Sequence, residues 1–204
     1  MSHLFLVRHG ETIWHAENRY AGRSDVALTE KGKQQAVRLA QWAAEANLQA
    51  VWSSPLSRAV ETATPSADAL ELPLQIDDRL LELDFGRGEG LTASEMKAAM
   101  PEAFTAFRMD PVHHHLPEGE NPIAAAKRGL IALHSIAATI PSEGKALVVA
   151  HSTLLRLILC QALDIPLSRY RNVFPIFHNC AITEVKITGS VVSLLSFNAP
   201  LPLS

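Results

Sequence analysis

Arg8 and His9 stand side by side at the end of the apolar run Leu4-Phe5-Leu6-Val7, and Gly10-Glu11-Thr12 follow. An arginine and a histidine at the end of a core strand are costly to bury without a partner. A bound anion, most simply phosphate, would supply one. The plainer reading is a strand that ends at the surface with two solvated side chains, and this stretch alone leaves both open. The glycine beside them would let backbone approach a ligand closely. Two further junctions repeat the pattern. Arg58 falls just after Gln49-Ala50-Val51-Trp52 and Ser53-Ser54-Pro55, and His151 closes the apolar run Lys145-Ala146-Leu147-Val148-Val149-Ala150. Glu82, set between Leu81 and Leu83, is the candidate acid, because a carboxyl in a partly apolar place has a raised pKa.

The elements that must carry these side chains can be traced from the pattern. Strands are expected at about 3–8, 49–52, 145–150, 180–187 and 191–197. Thr29 reads as the N-cap of a helix with Ala36, Val37, Ala40, Ala44 and Leu48 on one face. Ser54 and Pro55 read as a capping serine and a first helical residue of a helix that runs to about Leu70. Near that start, Arg58 either pairs with Glu61 or joins the free helix N–H groups on one anion; convergence on an anion is the expectation. Further helices are expected over 92–100, 122–140 and 154–163, and a loop over 109–121. The strand at 145–150 is apolar almost throughout, as in a strand covered on both faces. Ligands of open α/β sheets bind outside the carboxyl ends of the strands, which is where Arg8, His9, Arg58 and His151 fall. The irregular stretch 13–28 is long for a loop in a compact domain and is expected to be functional.

Composition bounds the partners. The 204 residues are 48% hydrophobic and 19% charged, which fits one globular domain over 1–204. A net charge of −3 argues against broad nucleic-acid binding. Cys160 and Cys180 lack metal spacing and fit a reducing cytoplasm. The start has no basic segment ahead of its short apolar run, and no stretch approaches a membrane span. His113-His114-His115 suggest metal at first sight, but adjacent residues cannot all converge on one ion, so the run reads as solvated or substrate-facing. No cofactor is expected, and the oligomeric state is open, a homodimer included.

Leu6-Val7-Arg8-His9-Gly10-Glu11-Thr12 resembles the signature of the histidine phosphatase superfamily, the phosphoglycerate mutase-like proteins. Ser53 through Ala63 is similar to its second motif. Leu80 through Gly86, with Glu89-Gly90, is similar to its acid-bearing segment, and Val148-Val149-Ala150-His151 to its last. The four motifs come in family order and span nearly the whole chain.

That resemblance implies a three-layer α/β/α sandwich with a mostly parallel central sheet. It implies that His9 is the nucleophile, that Arg8, Arg58 and His151 hold phosphoryl oxygens, and that Glu82 protonates the leaving oxygen. Thr12, His15, Arg19, Gly22 and Ser152 are the candidate substrate contacts. Two positions depart from the family pattern: His15 stands where Asn is frequent, and Ser152 where Gly is usual. The expected activity is metal-independent hydrolysis of a small phosphorylated metabolite through a phosphohistidine. A cofactor-dependent phosphoglycerate mutase and a phospholigand-binding module without turnover are the alternatives. A mutase needs a closing lid and cations beyond the phosphoryl pocket. Residues 109–126 contain no Lys or Arg, and no charged residue follows Lys186, so hydrolysis is expected to dominate.

Overall fold

The computed structural model describes residues 1–201. Its spine is a six-stranded sheet in the order β3-β2-β4-β1-β5-β6. The strands are β1 (Ser2–Arg8), β2 (Ala50–Ser53), β3 (Leu74–Ile76), β4 (Gly144–Ala150), β5 (Ile182–Thr188) and β6 (Val191–Ala199). The pairs β3–β2, β2–β4 and β4–β1 are parallel, while β1–β5 and β5–β6 are antiparallel. Strand β4 therefore sits between β2 and β1, and the carboxyl ends of all three lie together. The sequence junctions carrying Arg8, His9, Arg58 and His151 become one place through that order.

Period-two alternation divides the core between the two faces. Phe5, Val7, Val51, Leu147 and Val149 point into a cluster shared with Leu39, Ala43, Ala59, Ala63 and Ala67. These come from α2 (Glu30–Glu45) and α3 (Ser57–Ala69). Leu4, Leu6, Ala146 and Val148 point the other way, onto Leu133, Ile136, Leu154 and Ile158. Those belong to α6 (Pro122–Thr139) and α7 (Ser152–Ala162). The result is the expected three-layer sandwich. Burying one Leu or Ile side chain in it contributes roughly 1.5–3 kcal/mol.

Local signals explain the helix starts. Thr29 Oγ1 accepts from Gly32 N–H at 3.0 Å to cap α2. Thr92 and Glu95 form a reciprocal capping box on α4 (Ala93–Ala99). Asn121 Oδ1 accepts from Ile123 N–H at 2.8 Å, with Pro122 in the first turn of α6. The short helices are α1 (Ile13–Glu17), α5 (Pro101–Met109) and α8 (Tyr170–Val173).

Several expectations are corrected. In α2 the buried stripe is Gly32, Ala36, Leu39, Ala40 and Ala43, whereas Val37 is 52% exposed and Ala44 also faces out. At 3.6 residues per turn Val37 lies about 100° round from Ala36, so only one of the pair can point inward. Leu48 is buried but follows the helix, past Asn47 at φ 53°. Helix α3 begins at Ser57 rather than at Pro55, and its N-cap position, Leu56, offers no side-chain acceptor. The cap comes from outside the helix. Asp25 Oδ1 accepts from Ser57 N–H at 2.9 Å and from Ser57 Oγ at 2.6 Å. Helix α5 and the three-residue strand β3 had no signal distinct enough to separate them from their surroundings. Gly10 is needed for a helix rather than a ligand: a Cβ there would lie 2.7 Å from the Gly32 carbonyl oxygen, so its bareness lets α2 approach the end of β1.

Candidate active site

His9 and Arg58 form the centre. His9 follows β1 and is 5% exposed; Arg58, in the first turn of α3, is 1% exposed. His9 Nδ1 lies 2.7 Å from the Gly10 carbonyl oxygen, which can only accept, so the ring proton sits on Nδ1. That leaves the Nε2 lone pair free, and Arg58 Nε donates toward it at 3.3 Å. Burial, then the neighbouring His151, Arg58 and Arg8, hold the His9 pKa well below the ordinary histidine range. The imidazole is therefore neutral at pH 7, the form a nucleophile requires.

Arg58 is held by backbone instead of carboxylate. Its Nη1 donates to the Ser24 carbonyl at 2.7 Å and its Nη2 to the Gly22 carbonyl at 2.6 Å. Arg8 Nη1 donates to the Phe177 carbonyl at 2.8 Å, while its Nε is buried with no partner. Burial, then the charge of Arg156, lowers the Arg8 pKa to about 10, so it remains a cation. Among the described residues no carboxylate lies within ion-pair distance of Arg8 or Arg58. Buried cations without counter-ions are what an anion site presents before its ligand arrives. Arg58 makes no ion pair with Glu61 among the described residues; its guanidinium lies beside His9 at the cavity instead. The N–H groups of α3 do not all join it, because Asp25 takes that of Ser57.

His151, at the N-cap of α7, is fully buried, with its ring centroid 5.1 Å from that of His9. Its Nε2 lies 2.7 Å from Ser54 Oγ, and its Nδ1 has no partner. Burial, then Arg58, pushes its pKa well below the usual value. Glu82 is buried, but its carboxylate is not in an apolar place. Oε1 accepts from Leu83 N–H and Leu154 N–H, both at 2.8 Å, and Oε2 accepts from Thr153 N–H at 3.0 Å. The Glu82 carboxylate is thus docked on the N-terminus of α7.

A cavity of about 370 Å³ opens over these groups. Arg8, His9, Thr12, His15, Arg19, Gly22, Arg58, Glu82 and Ser152 all line it; His151 is the one candidate that does not, being fully buried beside His9. His15 sits against Arg8: its Nε2 meets Arg8 Nη2, and its Nδ1 accepts from Thr12 N–H at 2.9 Å. Burial, then Arg8, lowers the His15 pKa to about 4. Arg19 reaches the cavity wall but is engaged, at 2.7 Å by Glu95 and at 2.6 Å by Glu17. Arg23 and Arg128 converge on Glu120, and Arg128 also donates to the carbonyls of Arg79, Leu81 and Glu82. The three histidines at 113–115 are exposed and outside the cavity, with His113 on Asp110 at 2.7 Å. Among the described residues no group of three His, Cys, Asp or Glu is placed to hold a metal ion. No helix is long and apolar enough to cross a membrane among them.

The cavity also contains residues that sequence reasoning missed. Trp14, Tyr20 and Phe85 give it an aromatic wall, and Thr153, Arg156 and Arg171 a polar one. Arg156 was recoverable, since it lies four residues after Ser152 and so on the same side of α7. Arg171 sits in a short turn of helix with no periodic pattern to announce it. Its presence corrects the expectation that cations beyond the phosphoryl pocket are lacking.

A match to the histidine phosphatase superfamily (branch 1) spans residues 4–200. "Probable phosphoglycerate mutase GpmB" of Erwinia tasmaniensis is 33% identical over 185 residues, covering 91% of this chain and 85% of that one. "Phosphoserine phosphatase 1" of Hydrogenobacter thermophilus is 32% identical over 170 residues, covering 83% and 80%. The solved structure of Bacillus stearothermophilus YhfR superimposes with a TM-score of 0.91 at 31% identity, covering 98% of each chain. By motif, fold and similarity over its length, the chain belongs to the histidine phosphatase superfamily.

Proposed function

We propose that the protein is a metal-independent phosphomonoester hydrolase that works through a phosphohistidine on His9. The observation that carries this reading is the unprotonated Nε2 of a neutral, buried His9, placed 3.3 Å from Arg58 Nε among arginines that lack carboxylate partners. Phosphoryl transfer asks mainly for positioning and neutralisation of charge, and this site offers both. In the first step His9 Nε2 bonds to phosphorus as the ester P–O bond breaks, and the leaving oxygen takes a proton from Glu82. In the second, water attacks phosphorus, the P–N bond breaks, and Glu82 recovers a proton from that water. Arg8 and Arg58 hold the equatorial oxygens throughout, with forks that match them. The cavity volume of about 370 Å³ suits a small metabolite. The relative named phosphoserine phosphatase supports hydrolysis.

Phosphoglycerate mutase activity is the second reading, favoured by the extra cations Arg156 and Arg171 and by the relative named as such a mutase. The two separate in one assay: 3-phosphoglycerate with catalytic 2,3-bisphosphoglycerate, following 2-phosphoglycerate and free phosphate together. Phosphate release ahead of isomerisation is expected. Isomerisation well ahead of phosphate release overturns the hydrolase reading.

A further inference from the structure

Arg128 of α6 lines no part of the cavity, yet its whole guanidinium is engaged. Nε and Nη2 donate to the two oxygens of Glu120 at 2.7 and 2.8 Å. Nη1 donates to the Arg79 and Leu81 carbonyls, both at 2.7 Å, and Nη2 to the Glu82 carbonyl at 3.2 Å. A guanidinium carries five N–H donors in a rigid fork, so none is left over. The three carbonyls belong to the segment that bears Glu82. It leaves a 3₁₀ turn at Leu80 and runs through Phe85 without helix or strand. Among the described residues no backbone N–H donates to the Leu81 or Glu82 carbonyl. Carbonyls withdrawn from water need donors, and here one side chain supplies them.

Glu82 is therefore held at two points. Its backbone hangs on Arg128 of α6, and its carboxylate accepts from Thr153 and Leu154 N–H of α7. The two anchors share one packed unit. Next to Arg128, a Cβ on Gly129 would fall 2.5 Å from Ile158 Cδ1, so α6 and α7 lie in close contact there. Glu120 balances the guanidinium charge, and its N–H donates to the Asp84 carbonyl at 2.9 Å, further along the same segment. We propose that Arg128 is a positioning residue that sets where Glu82 stands at the cavity, and so governs proton delivery to the leaving oxygen without touching it. The inference rests on the reading of Glu82 as the acid for its effect on rate, though not for its effect on placement.

The test uses Arg128→Lys. It keeps the charge beside Glu120, but three donors on one nitrogen cannot span three carbonyls and a carboxylate. The readout is kcat/KM on p-nitrophenyl phosphate divided by that on glycerol 1-phosphate, whose leaving oxygen needs a proton. That ratio should rise about tenfold or more over wild type, as expected of a misplaced catalytic group. General damage to the fold lowers both rates and leaves the ratio in place. Added to Glu82→Gln, the same substitution should leave that variant's ratio unchanged, because an acid already absent cannot be misplaced. An unchanged ratio in Arg128→Lys, or a further rise in the double variant, overturns the proposal. If Arg128→Lys does not fold, Arg128→Met with Glu120→Gln strands no charge and is held to the same outcomes. Glu82→Gln alone decides the acid reading, which fails if both rates fall equally or neither ester turns over. Placement is then decided by hydrogen exchange. The Thr153 and Leu154 amides should lose protection about tenfold in Arg128→Lys while those of β4 keep theirs, since local opening exchanges separately from the core. Unchanged protection of those two amides overturns the proposal.

Discussion

In the proposed mechanism two protons govern the site: one that His9 must lack on Nε2, and one that Glu82 must deliver. The Gly10 carbonyl fixes the first by accepting a hydrogen bond from His9 Nδ1–H at 2.7 Å, which keeps the ring proton on Nδ1. For the second, Glu82→Gln keeps the shape and removes the acid. It should slow alkyl phosphates by ~10²–10⁴-fold and p-nitrophenyl phosphate much less, because a good leaving group needs no proton. Equal losses on the two substrates would assign Glu82 another role. Acid stability reports on the histidines. The ordinary histidine pKa is about 6.5, and burial holds those of His9, His15 and His151 below it. Below pH 6.5 the unfolded chain therefore binds protons that the folded one refuses. Their stabilising contribution is full above that pH and is lost as pH falls toward the folded values. For His15 the window extends down to about 4. Each such group steepens the fall by at most about 1.4 kcal/mol per pH unit. Urea unfolding at pH 7, 6 and 5 should show a shallower loss in His15→Asn than in wild type; an unchanged slope would contradict the assignment. Arg8, His9 and His151 stood out in the sequence because each lies at the end of an apolar run, and Arg58 because it opens the helix that follows one. The surroundings of Glu82 did not. Its leucine neighbours suggested an apolar seat, while the three N–H donors on its carboxylate come from backbone, and two of them lie more than seventy residues away.

At the scale of elements, the loop after α1 does more than close the cavity. Its Gly22 and Ser24 carbonyls hold Arg58, and its Asp25 caps α3. Glu89 in turn fixes the loop: its carboxylate accepts from Arg23 N–H at 2.7 Å, from Ser24 N–H at 2.8 Å and from Ser24 Oγ. The approach is close, since a Cβ on Gly22, at φ 45°, would fall 1.9 Å from Glu89 Oε1. Glu89 touches no reacting atom and acts through Arg58. Glu89→Ala should cost ~10–100-fold in kcat, as a misplaced binding group does, and about 1–3 kcal/mol in stability from the stranded N–H groups. Unchanged kcat in a variant with that stability loss would reduce Glu89 to a structural role. The length and polarity of residues 13–28 marked them out, but Ile13–Glu17 are helical, so only the part after α1 is the irregular loop expected of the whole stretch. Which carbonyl meets which guanidinium could not be read, because those contacts join segments 34 and 36 residues apart. The entry to α3 misled for a related reason: Ser54 and Pro55 have the composition of a cap, but Asp25 supplies it across the fold.

At the scale of the molecule, placing β4 between β2 and β1 turns three separate junctions into one site. The parallel centre was legible from apolar strands alternating with amphipathic helices; the short edge strand β3 was not, since three residues carry no pattern. Loss of charge after Lys186 was legible too, yet it concealed a cavity wall that carries Arg156 and Arg171. The central claim is that this assembly passes a phosphoryl group through His9 to water without a metal. Its most direct test is rapid acid-free quenching of turnover on a ³²P-labelled phosphomonoester in EDTA, followed by mapping of the labelled peptide. Label on the His9 peptide, acid-labile and base-stable, chased into free phosphate and lost in His9→Ala, is the expected result. Turnover in EDTA with no labelled enzyme, or label that persists in His9→Ala, would contradict the account.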